Sequence, residues 1–593
     1  MLNKIRNLSS KFRLNLFYNQ ILINKKNSIF LFITITFLAF VEMFIIGSLF
    51  PIINLFQKEE KILEFMLKIE TFTNLDFELN YFIIFVIFSV VSLFFISSLL
   101  QTLSFYYSSK VTENIFYFWK KEILNKYLDE NISFFSNNKS GDLIQRLLVH
   151  TREASSFIFE FFILCKDLLI ALIIYIFLFF ISYKLTLFFT LIFSIVLIVS
   201  LLVAKNLVYK KASEVANLQE IIFSYLSNIL QSVKVIKAFQ KEEYFQNIID
   251  QKNKVFMKNQ ILNETLVKIP AIFNRTVTFV IAMLFLLYIL LFNYDEKLIT
   301  TFIVFLAGMY KINNSLGSIN NSILGMARLL PNIEIVFQEI NRKQEKTKDL
   351  HNINTFQNNL RLENINFKYN EKKIINNINF GINKGELVSI VGPSGVGKTT
   401  LIDIICDHIK CEEKNIFVDD HILNLSKETL SKRFFGYISQ EGFIFPGSIK
   451  ENINFFSDKI KDEDISEALK VTGLEEFVNS QKKGIDTYLL EGGKNISGGQ
   501  KQRISIARMI CSDFEILVLD ESTSHLDQLS EQKIIQELKG WIKKKNKSVI
   551  CVTHSSIVTK SSDCIYVLDK GSFISKGKHE DLININFYKE NFF

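Results

Sequence analysis

Long uncharged apolar runs alternate with polar, charge-rich stretches over the first 330 residues, and then the alternation stops. Ser28 to Phe56 is apolar and long enough to cross a bilayer with some tilt. Tyr81 to Leu100 is a second such run. Leu168–Ile181 leads through the tight turn Ser182-Tyr183-Lys184 into Leu185–Ala204. A last pair, roughly Ile272–Phe292 and Leu298–Ala307, is joined by Asn293–Lys297. The pattern predicts six membrane spans. The polar inserts 108–154 and 205–268 contain no proline and few glycines, which predicts helices that continue beyond the membrane. Glu334 to Asp349 is charged and breaker-free and reads as a helical linker. From Arg361 the pattern changes to short β-rich runs and glycine turns. The expected division is an N-terminal elbow (1–27), a six-span domain (28–330), a linker (331–350) and a soluble α/β domain (351–593).

Charge orients these spans. Residues 1–27 carry Lys4, Arg6, Lys11, Arg13, Lys25 and Lys26 and no acid, whereas 57–80 holds six acids against three lysines. Basic residues stay on the cytoplasmic side, so the N-terminus is placed inside and 57–80 outside. The inserts 108–154 and 205–268, with seven and ten Lys/Arg, fall on the same inner side, as do both termini. Leu14–Ile23 reads as an amphipathic elbow lying along the membrane surface. A cleavable signal peptide is not expected, because the first apolar run is too long and continues into further spans. The net charge of +8 says less than this placement.

Composition adds two exclusions. The six cysteines (Cys165, Cys406, Cys411, Cys511, Cys551 and Cys564) form no CxxC pair, which argues for reduced thiols with neither a metal site nor a disulfide framework. The seven histidines show no ligand spacing.

The candidate chemistry is concentrated after residue 386. Leu387–Val391 reads as a short buried strand, Gly392-Pro393-Ser394-Gly395-Val396-Gly397-Lys398-Thr399 as a glycine-rich turn, and Leu401–Cys406 as part of a helix. This is the context of a G-x-x-x-x-G-K-[ST] phosphate loop. The glycines let backbone N–H groups turn toward phosphate oxygens, and the helix presents its positive end to the same anion. Lys398 reaches the β- and γ-phosphates in this reading, and the Thr399 hydroxyl joins a Mg²⁺ shell. Gln440 follows a short apolar strand, and Asn495-Ile496-Ser497-Gly498-Gly499-Gln500 opens a helix. Ile516–Leu519 delivers Asp520 and Glu521 at its end. Ser524-His525-Leu526-Asp527 follows, and Val549–Thr553 ends in His554. Phosphoryl transfer needs a carboxylate for Mg²⁺, a group to orient water and donors for the γ-phosphate. Asp520, Glu521 and His554 are placed for those tasks.

In this order the motifs resemble the nucleotide-binding domain of an ABC transporter: phosphate loop, glutamine loop, SGGQ signature, Walker B with catalytic glutamate, aspartate loop and switch histidine. The whole chain resembles the exporter-type half-transporters, with six spans fused ahead of one ATPase domain. The resemblance implies ATP and Mg²⁺ as cofactors, with the phosphates held by Gly392, Ser394, Gly395, Gly397, Lys398, Thr399 and Thr400. It implies that Tyr369 stacks on adenine, that Gln440 touches Mg²⁺ with Thr399 and Asp520, and that Glu521 polarises the attacking water. Ser497, Gly498, Gly499 and Gln500, with Asp527, would serve ATP held by an opposite subunit. One ATPase domain alone lacks that opposing signature, so a dimer is expected, a homodimer in preference to a heterodimer. Phe134–Leu147 and Leu230–Phe239 match the coupling helices of the group. The sequence departs from the family pattern at His525, at Ile496 and over 411–420, where a usual glycine is missing; none of these removes a catalytic atom.

The membrane half carries its own candidates. Glu42 lies midway along Ser28–Phe56, about 21 Å from either end, where a carboxylate faces a cavity or a partner or serves as a structural carboxyl. Arg275 and Lys311 lie toward the inner ends of the last two spans. They either snorkel to the interface or form a basic site for an anionic head group. Phe40–Ile53 and Ala307–Ser315 resemble the subgroup that flips lipid-linked oligosaccharides, which implies a lipidic or amphipathic substrate and membrane lipid as partner. Lipid A-like lipids, drugs and peptides are the alternative substrates, and a membrane protein that uses ATP only for gating is the alternative function. No preceding peptidase or binding-protein domain is expected, which disfavours a peptide-processing exporter and an importer. Fused spans also argue against the nucleic-acid-linked proteins that share this ATPase fold.

Overall fold

The computed structural model describes residues 24–49, 79–130, 138–184, 207–292, 296–342 and 351–589, the last with short interruptions, and a few isolated positions besides. The expected elbow, the acidic segment after the first span, most of Leu185–Ala204, the end of the linker, the Tyr369 ring and His525 lie outside the described residues. The chain divides into two compact units, with the division after Gln344.

The first unit is helical. Helix α1 spans Lys25–Gly47, α2 Leu79–Leu128 and α3 Thr151–Ile181; then come α4 (Tyr209–Gln231), α5 (Glu242–Phe292) and α6 (Glu296–Ile340). Among the described residues, three helical stretches are long and apolar enough to cross a membrane: Lys25–Gly47, Ile84–Leu128 and Ser140–Ile181. Helix α2, of 50 residues, is about 75 Å long at 1.5 Å per residue. A hydrocarbon core takes up only ~30 Å of that, so the polar inserts do continue the apolar helices. Glu334 to Ile340, expected in the linker, are the last two turns of α6, which runs through Pro331 without ending.

Helix α6 packs along α3, and α1 packs on α2 and α3. Their shared core contains Leu38, Ala39, Ile174, Leu178, Val304 and Phe305. Farther along, charges take over. Arg146, just ahead of α3, bridges Glu220 on α4 (3.3 Å) and buried Glu339 on α6 (2.9 Å). Tyr209 donates to Glu334 at 3.2 Å, and Arg328 pairs with Glu264. Of the two expected coupling stretches, the second is a short helix, Val233–Ala238, with Leu230, Val235 and Phe239 exposed beside buried Ile236.

Glu42 is 3% exposed and has three polar partners, as a carboxyl at that depth requires. Ser97 Oγ and Gln101 Nε2, on α2, donate to its Oε1 at 3.0 and 2.9 Å. Lys311 Nζ, on α6, lies 2.7 Å from Oε2. Lys311, expected either to snorkel or to form a basic site for an anionic head group, is the ion-pair partner of Glu42. Arg275 is exposed on α5.

The second unit has two main sheets, with two short two-stranded pairs besides. The strands of the main sheets begin with β1 (Asn359–Tyr369), β2 (Lys372–Asn383), β3 (Leu387–Val391), β4 (Glu413–Val418), β5 (His421–Ile422) and β6 (Phe435–Ile438), with helix α7 (Lys398–Ile405) after β3. Helix α8 (Gly498–Cys511), strand β7 (Ile516–Asp520), helix α9 (Gln528–Lys545) and strands β8 (Ser548–Val552), β9 (Cys564–Asp569) and β10 (Ser572–Gly577) follow. The larger sheet has the order β10-β9-β3-β8-β7-β6, parallel except for the β9–β10 edge. All five residues of β3, β7 and β8 are buried, as continuous apolar strands in a sheet covered on both faces must be. The smaller sheet, β2-β1-β4-β5, is antiparallel. Because β3, β8, β7 and β6 are parallel neighbours, the residues after their C-terminal ends fall at one edge, where ligands bind in open α/β sheets.

Candidate active site

Four strand ends converge. After β3 comes the phosphate loop, after β6 Gln440, after β7 Glu521 and after β8 His554. Gly392 leaves β3 in close contact with β9: a Cβ there would sit 2.4 Å from the Leu568 carbonyl oxygen. Gly397 turns the loop into α7 at φ +106°, a conformation open to glycine. Ser394, Gly395 and Thr399 are exposed, and Thr400 half-buried, around the N-terminal end of α7. That end offers unpaired backbone donors and the positive pole of the helix.

Lys398 is buried, and burial lowers its pKa. Its Nζ donates to the carbonyls of Gly392 (2.8 Å) and Pro393 (3.3 Å) and lies 2.9 Å from His554 Nε2 and 3.9 Å from Glu521 Oε1. Burial, then the adjacent Lys398 ammonium, push the His554 pKa below its usual value. A neutral imidazole is the form that can accept from lysine. His554 Nε2 is also 3.4 Å from Glu521 Oε1, and Gln440 Nε2 donates to Glu521 Oε2 at 3.0 Å. Glu521 itself sits at φ +49°, a left-handed backbone, and its N–H donates to the Val552 carbonyl at 2.9 Å. Strain of this kind persists only where surrounding structure holds it. Sequence reasoning named Lys398, Gln440, Glu521 and His554 separately; the structure brings them into one cluster.

Asp520 ends β7 with its carboxyl buried, and that burial raises its pKa. The Tyr437 hydroxyl donates to Asp520 Oδ2 at 3.1 Å, and the Thr399 hydroxyl also bonds to the Asp520 side chain. Thr hydroxyl, Asp carboxylate and Gln amide form a set of hard oxygen donors, which suits Mg²⁺ and not a soft metal. Tyr437 escaped the sequence reading, although it lies only three residues before Gln440.

The remaining predicted residues are engaged elsewhere. Ser497 caps α8 in a capping box: its Oγ accepts from the Gln500 N–H (3.2 Å), and Gln500 Oε1 accepts from the Ser497 N–H (2.9 Å). Ser497 and Gly498 are exposed, with Gly499 half-buried. Asp527 caps α9 by accepting from the Ser530 N–H at 2.9 Å; the Ser530 hydroxyl first, and then this N–H, hold its carboxyl below the usual range.

Comparison with known proteins bears on both units. Residues 26–322 match the ABC transporter transmembrane region, and residues 375–524 match the ABC transporter family. A putative export ATP-binding/permease protein of Rickettsia prowazekii is 39% identical over 246 residues, 40% of this chain and 42% of that protein. The match thus spans about two fifths of that relative's length. An ATP-dependent lipid A-core flippase of Vibrio vulnificus is 26% identical over 514 residues, covering 83% of this chain and 85% of the other. Among solved structures, a bacterial Atm1-family ABC exporter with ATP bound superposes with a TM-score of 0.80 at 17% identity, over 95% of this chain and 97% of that one. The last likeness speaks for the fold.

Proposed function

Because the chain belongs to the ABC transporter family, with transmembrane region and ATPase domain fused in one polypeptide, we propose that it hydrolyses ATP to export or flip a lipid-like substrate across the cytoplasmic membrane, as a dimer. The observation that carries the reading is the convergence of Lys398, Gln440 and His554 on Glu521, next to Asp520. Lys398 binds the β- and γ-phosphates, exchanging its carbonyl partners for phosphate oxygens. Thr399, Gln440 and Asp520 hold Mg²⁺, which when bound neutralises phosphate charge. Glu521 orients and polarises the attacking water, and His554 contacts the γ-phosphate. Tyr369 stacks on adenine. Ser497–Gln500 and Asp527 act on the nucleotide of the second subunit, which makes a homodimer with two competent sites the simplest assembly.

The domain limits 28–330 and 351–593, and a cytosolic location for both termini and the ATPase domain, belong to the same proposal and rest on the placement of basic residues. A lipidic substrate, with a lipid-linked oligosaccharide as first choice, draws support from the short likenesses around Phe40–Ile53 and Ala307–Ser315. The name of the Vibrio relative supports the same class. The test is ATPase activity of the purified full chain in nanodiscs, with a panel of glycolipids, hydrophobic drugs and peptides. Stimulation by polyisoprenyl-phosphate-linked glycan that disappears in Glu521→Gln supports the proposal. Stimulation by drugs or peptides alone overturns the substrate class, and absence of hydrolysis by the wild type overturns the homodimer.

A further inference from the structure

We propose that Tyr437 is the positioning residue of the metal-binding carboxylate: its hydroxyl fixes the rotation of Asp520. The inference rests on Asp520 being the metal ligand. Tyr437 lies on β6 in register with Val518 of β7, one same-face position before Asp520. Its ring therefore stands on the same side of the sheet as the carboxylate, and its hydroxyl reaches Asp520 Oδ2 at 3.1 Å. The ring is itself held edge-on by His408, with centroids 5.2 Å apart and planes at 90°. His408 Nδ1 in turn lies 3.3 Å from Asp403 Oδ1 on α7, the helix that begins at the phosphate loop.

A carboxylate at a strand end has one soft torsion that decides where its two oxygens point. With Oδ2 engaged by the phenol, that torsion is held, and the direction of Oδ1 with it. Outer partners of this kind orient metal ligands, and their loss typically weakens metal binding by about 10–100-fold. The chain from Asp403 through His408 and Tyr437 also links this orientation to the helix carrying Lys398 and Thr399. Loop and carboxylate thus share one support.

The experiment uses the full chain in nanodiscs and the variant Tyr437→Phe, which keeps the ring and its packing on His408. Mn²⁺ binding in the presence of a non-hydrolysable ATP analogue is followed by electron paramagnetic resonance. Affinity for the same analogue in EDTA is measured alongside. The expected result is Mn²⁺ affinity lowered about tenfold, with metal-free nucleotide affinity unchanged. The Mg²⁺ concentration for half-maximal hydrolysis rises by the same factor, and kcat recovers at saturating Mg²⁺. Unchanged Mn²⁺ affinity overturns the inference; so does an equal fall in metal-free nucleotide binding, which marks a merely structural role. Asp520→Asn separates the two levels. If it spares Mn²⁺ binding, the assignment of Asp520 fails; if it abolishes Mn²⁺ binding while Tyr437→Phe does nothing, only the role of Tyr437 fails.

Discussion

Replacing Lys311 by Met removes the ammonium 2.7 Å from Glu42 Oε2 and leaves a carboxylate that is 3% exposed, held only by Ser97 and Gln101. Breaking a buried ion pair from one side costs about 3–5 kcal/mol, because the remaining charge loses its compensation. Glu42→Gln is milder, about 1–3 kcal/mol, because the Lys311 side chain is 33% exposed and can reach other acceptors. Removing both charges together is close to neutral. The double-mutant cycle should therefore show a coupling of at least ~4 kcal/mol. Ordinary hydrogen bonds between membrane helices average only ~0.6 kcal/mol, so the size of the coupling decides between a desolvated ion pair and an incidental contact. The assay is unfolding of the four full-length proteins in mixed micelles by increasing SDS, followed by circular dichroism. Additivity within about 0.5 kcal/mol would refute the reasoning: Glu42 and Lys311 would then not be partners in the folded protein.

Three further outcomes are expected. Gly392→Ala places a methyl 2.4 Å from the Leu568 carbonyl oxygen; the strands must shift, costing about 1–3 kcal/mol, and a fluorescent ATP analogue should bind more weakly, which a binding titration checks. His554 has a lowered pKa in the folded chain, so the unfolded chain binds more protons between that value and about 6.5. Stability then falls as pH drops below ~6.5, and melting without nucleotide should show a smaller loss between pH 7.5 and 5.5 in His554→Gln than in wild type. Lys398→Ala removes the ammonium of the phosphate loop and should lower ATP turnover by at least ~10²-fold in a steady-state phosphate-release assay.

What could be read from the sequence was what is local. Strand, glycine turn and helix are contiguous at Leu387–Cys406, so the phosphate loop is visible in the letters alone. The same holds for Asp520 and Glu521 at the end of the apolar run from Ile516, and for the helix opened at Ser497-Gly498-Gly499-Gln500. The long helices were legible because the inserts lack breakers. Pairings across the chain were not legible. Glu42 and Lys311 belong to helices at opposite ends of the membrane unit, and hydropathy treats each as a lone charge. Tyr437 meets Asp520 only because β6 and β7 are neighbours, an adjacency set by strand order. A phenol near the end of the strand leading to Gln440 was the one available signal. The end of α6 also ran past its expected limit, because neither charge nor Pro331 stops a helix already packed along α3.

Hydrolysis at Glu521 is proposed to drive an amphiphile across the bilayer. Proteoliposomes holding a fluorescent polyisoprenyl-phosphate-linked glycan, with an impermeant quencher reporting how much faces outward, put this to the test. ATP and Mg²⁺ should change the quenchable fraction with wild-type protein and leave it unchanged with Glu521→Gln. Equal change in the two proteins, or none in a wild type that hydrolyses ATP, would mean that hydrolysis does not move the lipid.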